Sequence, residues 1–250
     1  MNWQIKRFIN TKQFHICILI FIIFIILFVL AVTVLEYNTD GDNNLPFEIS
    51  KISVISSVEG YDIENSENKW DLEVNQNNDI YLYVTKNEEY NKTETIKEII
   101  LNNFNIIQTS QVGSLKILKP DSNIESVIFK NTAENETNEI IYTGDVDSSI
   151  KEQKISNQGG LVVFRYAIEE IGNYISNDAE EVSHSDLLKE IGIDNDDLKF
   201  KVSFDITISL DSKKQYIATT ELELPIGDVA NQGTQSAENI NVENIKFKRK

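Results

Sequence analysis

Leu198-Lys199-Phe200-Lys201-Val202-Ser203-Phe204-Asp205-Ile206-Thr207-Ile208-Ser209-Leu210 places an apolar side chain at every second position over 13 residues. A helix repeats every 3.6 residues and would scatter these side chains around its circumference, whereas a strand puts them all on one face. The stretch therefore predicts a strand with one buried and one wet face. Asp211-Ser212-Lys213-Lys214 is a polar break. Tyr216, Ala218, Thr220, Leu222 and Leu224 then resume the alternation against Ile217, Thr219, Glu221 and Glu223. Two such runs about a short break predict a long antiparallel hairpin. Pro225 has no N–H to give to a ladder and ends the second strand.

Earlier segments agree with a β architecture. Trp70, Leu72 and Val74 alternate with Asp71 and Glu73. Asn77-Asn78-Asp79 reads as a turn, and residues 80–84 (Ile-Tyr-Leu-Tyr-Val) as the next strand. Residues 47–54, 115–118, 127–129 and 140–142 are short strand candidates. Gly159-Gly160 opens residues 161–166 (Leu-Val-Val-Phe-Arg-Tyr), apolar on both faces as a central strand is. Residues 245–248 suit a last edge strand. Residues 96–107 fit a helical stripe through Ile96, Ile99, Ile100, Phe104 and Ile107, and also two strands broken at Asn102-Asn103; their β-branched content favours the strands. One short helix is expected at 186–191, with Ser185 as cap, Leu187, Leu188 and Ile191 as its apolar side, and Gly192 ending it while Ile193 packs back. The fold class that follows is mainly β: an antiparallel β-sandwich with one short helix over residues 47–250. Gly144-Asp145-Val146 recurs as Gly227-Asp228-Val229, each ahead of an Asn-Gln-Gly, but unequal spacers argue against a repeat.

Ahead of this body, residues 16–35 contain no charge, no Gly and no Pro, and 17 of these 20 residues are Ile, Leu, Phe or Val. A helix of that length rises roughly 30 Å, the thickness of a bilayer's hydrocarbon core. The stretch is expected to be a transmembrane helix, preceded by a short cytoplasmic segment (1–15) and followed by a polar linker (36–46). Lys6, Arg7 and Lys12 precede it, while Glu36, Asp40 and Asp42 follow with no basic residue before Lys51. The positive-inside rule puts the N-terminus in the cytoplasm and the β body outside the cell membrane. A cleaved signal peptide is the rival reading. It usually has an apolar core of about 7–15 residues and a small-x-small cleavage site, and neither fits well here. Cys17 opens the apolar run, so it is misplaced for lipid attachment. A type IV pilin would need a Gly just before the run and a Glu within it, and Leu224-Pro225-Ile226-Gly227 lacks the Thr of a sortase signal.

The chain has 23 basic and 40 acidic residues, a net charge of −17. Such a surface repels nucleic acid and excludes it as a partner class. It is also expected to repel anionic lipid head groups and stand off the membrane. The single Cys lies in the apolar run, so no disulfide framework holds the body, and stability must come from a core.

Candidate chemistry is sparse. His184 lies in Ser183-His184-Ser185-Asp186, a pattern that a helix start explains as well as a triad does. With His15 and Cys17 at the membrane edge, a His/Cys zinc site in the body is excluded by count. Asp40-Gly41-Asp42-Asn43-Asn44 fails as a calcium loop, having Leu45 in place of Gly and Lys51 in place of Glu. Asp194, Asp196 and Asp197, with Asn195 between them and residues 178–181 nearby, are the remaining calcium candidates, against a plain solvated loop. A carboxylate pair of the glycosidase kind has no particular members in a chain with 40 carboxylates. Gly159-Gly160 precedes a strand and reads as a turn rather than a phosphate loop. Trp70, Tyr81 and Tyr83 are expected in the core rather than on a carbohydrate-binding face. No catalytic residue and no cofactor are assigned.

Lys69-Trp70-Asp71-Leu72, Asn77-Asn78-Asp79-Ile80-Tyr81, Asn157-Gln158-Gly159-Gly160 and residues 200–205 (Phe-Lys-Val-Ser-Phe-Asp) resemble a group of uncharacterised single-pass membrane proteins of low-GC Gram-positive bacteria. The resemblance implies a location and no activity. The expected function is a membrane-anchored extracytoplasmic interaction or scaffold protein of the bacterial cell envelope. It would be held in the lipid bilayer by residues 16–35 and dock an envelope protein or a cell-wall component. The alternatives are a carboxylate-dependent envelope hydrolase and a secreted β domain released by signal cleavage.

Overall fold

The computed structural model describes residues 12–42, 45–121, 128–130, 132–144 and 153–250, with side chains described over 12–34 in the first of these segments.

The hairpin forms as its alternation dictates. β8 (Phe200–Leu210) and β9 (Gln215–Leu224) pair antiparallel from Phe200↔Leu224 to Ser209↔Gln215. Phe200, Val202, Phe204, Ile206, Ile208 and Leu210 are buried, as are Tyr216, Ala218, Thr220, Leu222 and Leu224. Leu198, first in the alternating series, instead closes a short helix.

The other strands are β1 (Phe47–Asp62), β2 (Trp70–Lys86), β3 (Ile96–Gln108), β4 (Ser114–Leu118), β5 (Ile140–Thr143), β6 (Gln153–Lys154), β7 (Gly159–Ser176), β10 (Thr234–Glu238) and β11 (Lys248–Arg249). One sheet runs β10-β1-β2-β7-β4 and is antiparallel throughout; the other runs β11-β9-β8-β3-β5-β6, with only β5-β6 parallel. The sheets face each other across one core. Phe164 of β7 meets Phe204 of β8 edge-on, with ring centroids 5.0 Å apart, and Phe104 of β3 packs 5.9 Å from Phe164. Each such pair contributes about 0.5–1.5 kcal/mol beyond the area it buries. The fold is the mainly β, two-sheet architecture that the alternation predicts.

Residues 96–107 are strand, and the break at Asn102-Asn103 is a bulge against β8 with Asn103 at φ 52°. β7 lies between β2 and β4, as an apolar central strand should. Several expectations need correction. Asn77-Asn78-Asp79 is no turn but the middle of one continuous strand, β2. Val127 lies outside the described residues, and residues 128–130 are not strand. The recurrence at Asp145-Val146 also falls outside. In place of one helix, the described residues of the body hold three short ones, α2 (His184–Glu190), α3 (Asn195–Leu198) and α4 (Val229–Gln232), plus a 3-10 turn at Val242–Asn244. The cap of α2 is Ser183, not Ser185. Gly192, at φ 76°, does end α2: its N–H reaches the Lys189 carbonyl, and the Ile193 N–H donates to Leu188 O at 3.0 Å. Tyr81 and Tyr83 are not in the core; Ile80, Leu82 and Val84 are, so the tyrosines take the opposite face of β2.

The apolar run is helical. α1 (Lys12–Asp42) contains one segment, Lys12–Val34, long and apolar enough to cross a membrane, and none of that segment is buried against the body. The helix continues through residues 36–42, which the sequence suggested as linker. The chain then enters β1 at Phe47. That end of the body, called the near end below, also holds the β8–β9 turn and the loop between β2 and β3. Asn87 N–H bonds Pro46 O, and Lys214 bonds the Tyr90 hydroxyl. The far end carries α2, α3 and α4.

Candidate functional site

A cleft of about 640 Å³ lies on the outer face of the first sheet. Its floor is Glu59 and Tyr61 of β1, Glu73 and Asn75 of β2, and Arg165 and Glu169 of β7; its wall is Phe129, Lys130 and Thr132. Three long neighbouring strands make the floor. The wall stands because a small apolar cluster of Leu118, Phe129, Val163 and Ala167, with Tyr81 against it, packs on that face.

The floor depends on Asn75-Gln76-Asn77-Asn78-Asp79, five polar residues inside β2. Strand alternation sends Gln76 and Asn78 into the core and Asn75, Asn77 and Asp79 toward the outer face. The inward pair is closed. Ser56 Oγ donates to Asn78 Oδ1 at 2.7 Å, Asn78 Nδ2 donates to Gln76 Oε1 at 2.8 Å, Gln76 Nε2 donates back to Asn78 Oδ1 at 3.0 Å, and the Ile226 N–H caps Ser56 Oγ at 2.8 Å. Buried polar groups with this many partners cost little and fix register.

The outward set is different. Arg165 stands directly across from Asp79 in the β2–β7 register and grips it with two bonds, Nε to Oδ1 at 2.5 Å and a terminal nitrogen to Oδ2 at 3.0 Å. The guanidinium also lies 4.7 Å from the Phe129 ring centre. Burial raises the Asp79 carboxyl above its ordinary range, against the pull of Arg165. Burial also pulls the Arg165 guanidinium down, but Asp79 more than restores it. The pair neutralises itself. Asn75 accepts the Glu170 N–H at 2.9 Å, at a bulge in the ladder. Asn77, between Asn75 and Asp79, is fully buried, and its amide makes no hydrogen bond of good geometry, its nearest polar neighbour being the Tyr61 hydroxyl, which Asn77 pulls toward ionisation. The Tyr61 hydroxyl lies close to Asn77 but donates to Glu59 Oε2 at 2.5 Å. Burial, then Glu59, pushes that phenol up to about 12. Burial raises the Glu169 carboxyl too; Lys116 opposes the rise, and Glu136 and Glu73 add to it.

With Arg165 held by Asp79 and Lys130 by Asp121 at 2.7 Å, the remaining charges in the cleft are Glu59, Glu73 and Glu169. The arrangement suits a cationic, hydrogen-bond-donating group. A second hollow of about 450 Å³ beside β9 is lined by charges paired to each other, Lys201 to Glu221 at 2.7 Å.

The sequence-suggested sites fall elsewhere. Asp194 caps α3, accepting the N–H of Asp196 at 2.8 Å and of Asp197 at 3.2 Å; Asp197 returns the favour to the Asp194 N–H at 3.1 Å, and Asp196 pairs with Lys199 at 2.6 Å. Asn195 bonds Asp228 and the Ala230 N–H. Among the described residues no group of three or more His, Cys, Asp or Glu gathers at metal-binding spacing. His184 Nδ1 meets Val58 O at 2.5 Å, a bond that ties α2 to β1. The cleft itself was missed because Asn, Asn and Asp read as turn formers. A signal was present. Leu72 and Val74 before the polar stretch, and Ile80, Leu82 and Val84 after it, keep the same parity, as one unbroken strand requires.

Class follows from fold and site together: a two-sheet β body with an outer-face cleft, carried behind one apolar helix. Scans of protein-family models, curated proteins and solved structures match nothing to this chain.

Proposed function

We propose that the chain is a membrane-anchored, extracytoplasmic interaction protein of the bacterial cell envelope, and that the outer-face cleft receives an ammonium or guanidinium group of its partner. The observation that carries this reading is the cleft's imbalance. Its one buried ion pair is self-neutralised, which leaves the carboxylates of Glu59, Glu73 and Glu169 and the Tyr61 phenol lining the cleft. The apolar helix supports the anchor, and the charge flanking it supports an outward body.

Binding of a fluorescent Lys/Arg-rich peptide to the full chain in nanodiscs tests this. The expectation is at least a tenfold loss in the variant E59Q/E73Q/E169Q and little change in the charge-matched variant E180Q/E181Q/E190Q. Equal losses in both would reduce the binding to general acidity and overturn the reading.

A further inference from the structure

We propose that β11 and the near end of the body form a basic surface that rests on anionic lipid head groups. This rests on α1 crossing a bilayer and is independent of the cleft. Phe247, just ahead of β11, is buried and anchors the segment, the Lys250 N–H reaches Gln215 O at 2.9 Å, and Lys246, Lys248 and Lys250 are exposed. β11 lies against α1. The C-terminal end of α1 is joined to β1 through residues 43–46, which puts it at the near end. Residues 36–42 add roughly 10 Å of helix beyond the apolar run, only a little more than a head-group layer about 5–8 Å deep. The fold thus brings a basic strand to the anchor from more than 200 residues away in sequence.

The near end of the β body, taken apart from Glu36, Asp40 and Asp42 at the end of α1, is also basic. Among the described residues, segments 45–49, 86–98, 153–158, 211–215 and 246–250 hold ten basic and six acidic side chains. Far-end segments 59–73, 169–190, 194–201 and 221–228 hold four basic and 19 acidic. The uniform repulsion from anionic lipid expected from composition does not describe a body charged so unevenly along its axis. The acidic residues Glu36, Asp40 and Asp42 at the end of α1 supply the competing account, in which β11 is a clasp for the helix and nothing more.

The test uses the full chain with Cys17→Ser and a single fluorophore at Ser212→Cys in the near-end turn. The readout is energy transfer to acceptor-labelled head groups in nanodiscs with and without phosphatidylglycerol. The expected result is higher transfer with phosphatidylglycerol. That gain should vanish when salt shortens the Debye length to about 3 Å, and should be absent in K246Q/K248Q/K250Q. Inorganic phosphate at matched ionic strength should compete no better than chloride, since a lipid surface and not a phosphate pocket is the partner. Co-elution with nanodiscs but equal transfer in both lipids, or a salt-insensitive gain, overturns the proposal and leaves the anchor intact. Failure to co-elute overturns both.

Discussion

The β8–β9 hairpin and the β2–β7 pair are two long ladders, one in each sheet, and they bury very different things. Along β8 and β9 the inward positions are apolar with few exceptions, so burial alone holds the pair. Along β2 and β7 the ladder carries five consecutive polar residues and a buried arginine at its centre. Apolar strands on both sides make that insertion affordable, and its inward half is fully hydrogen-bonded. The outward half is not, since the Asn77 amide makes no hydrogen bond of good geometry. A ladder needing only stability could have used Leu or Val there. The contrast says that the first sheet gives up stability at several buried polar atoms, among them the amide of Asn77 beneath the cleft floor, with Ser53, Asp71 and Tyr166 the others.

Substitutions sharpen the contrast, beginning with the hairpin. Phe204→Ala, at the centre of the aromatic cluster between the sheets, should cost about 3–5 kcal/mol in urea unfolding of the full chain in micelles. A loss below about 1 kcal/mol would mean that the sheets are not packed through it. Asp79→Asn should cost about 3 kcal/mol, because it leaves the Arg165 guanidinium buried without its carboxylate, whereas Asp79→Leu with Arg165→Leu should recover most of that loss. The two faces of β2 can be set directly against each other. Asn78→Leu should destabilise by about 1–3 kcal/mol by orphaning Ser56 and Gln76, while Asn77→Leu should be neutral or slightly stabilising. Equal losses would show that Asn77 is as well satisfied as Asn78, and the difference between the two faces of β2 would be gone.

The smallest effect is electrostatic. The Glu169 carboxyl is raised in the folded chain, so the folded state holds its proton more tightly than the unfolded chain does. Its contribution to stability is complete below the ordinary value of 4.5 and is lost as pH rises through the folded value. Glu169→Gln should therefore melt slightly above the native chain at neutral pH, and the gap should close as pH falls below 4.5. A gap that widens in acid would reverse the sign and the argument.

The same contrast explains what the sequence makes legible. Strict alternation exposes the hairpin because its inward side chains are nearly all apolar. The strand break at Asn102-Asn103 is legible because Asn tolerates the positive φ that a bulge needs. The centre of β2 is hidden because local turn propensity outvotes parity, and only neighbours on both sides supply the partners that keep Gln76 and Asn78 extended. β10 is hidden because Thr234–Glu238 is a polar edge strand with no buried face of its own to mark it. The cleft is the least legible, since its floor joins residues 59, 75, 165 and 169, which meet only once β1, β2 and β7 align. The basic end beside the anchor is hidden for the same reason.

Site-specific photo-crosslinking in native membranes tests the account most directly, with the crosslinker placed at Tyr61 in the cleft or at Glu221 on the outer face of the hairpin. The account predicts one dominant adduct from position 61, suppressed by Glu59→Gln with Glu73→Gln, and none of it from position 221. The same adduct from both positions, or none from position 61, would contradict it.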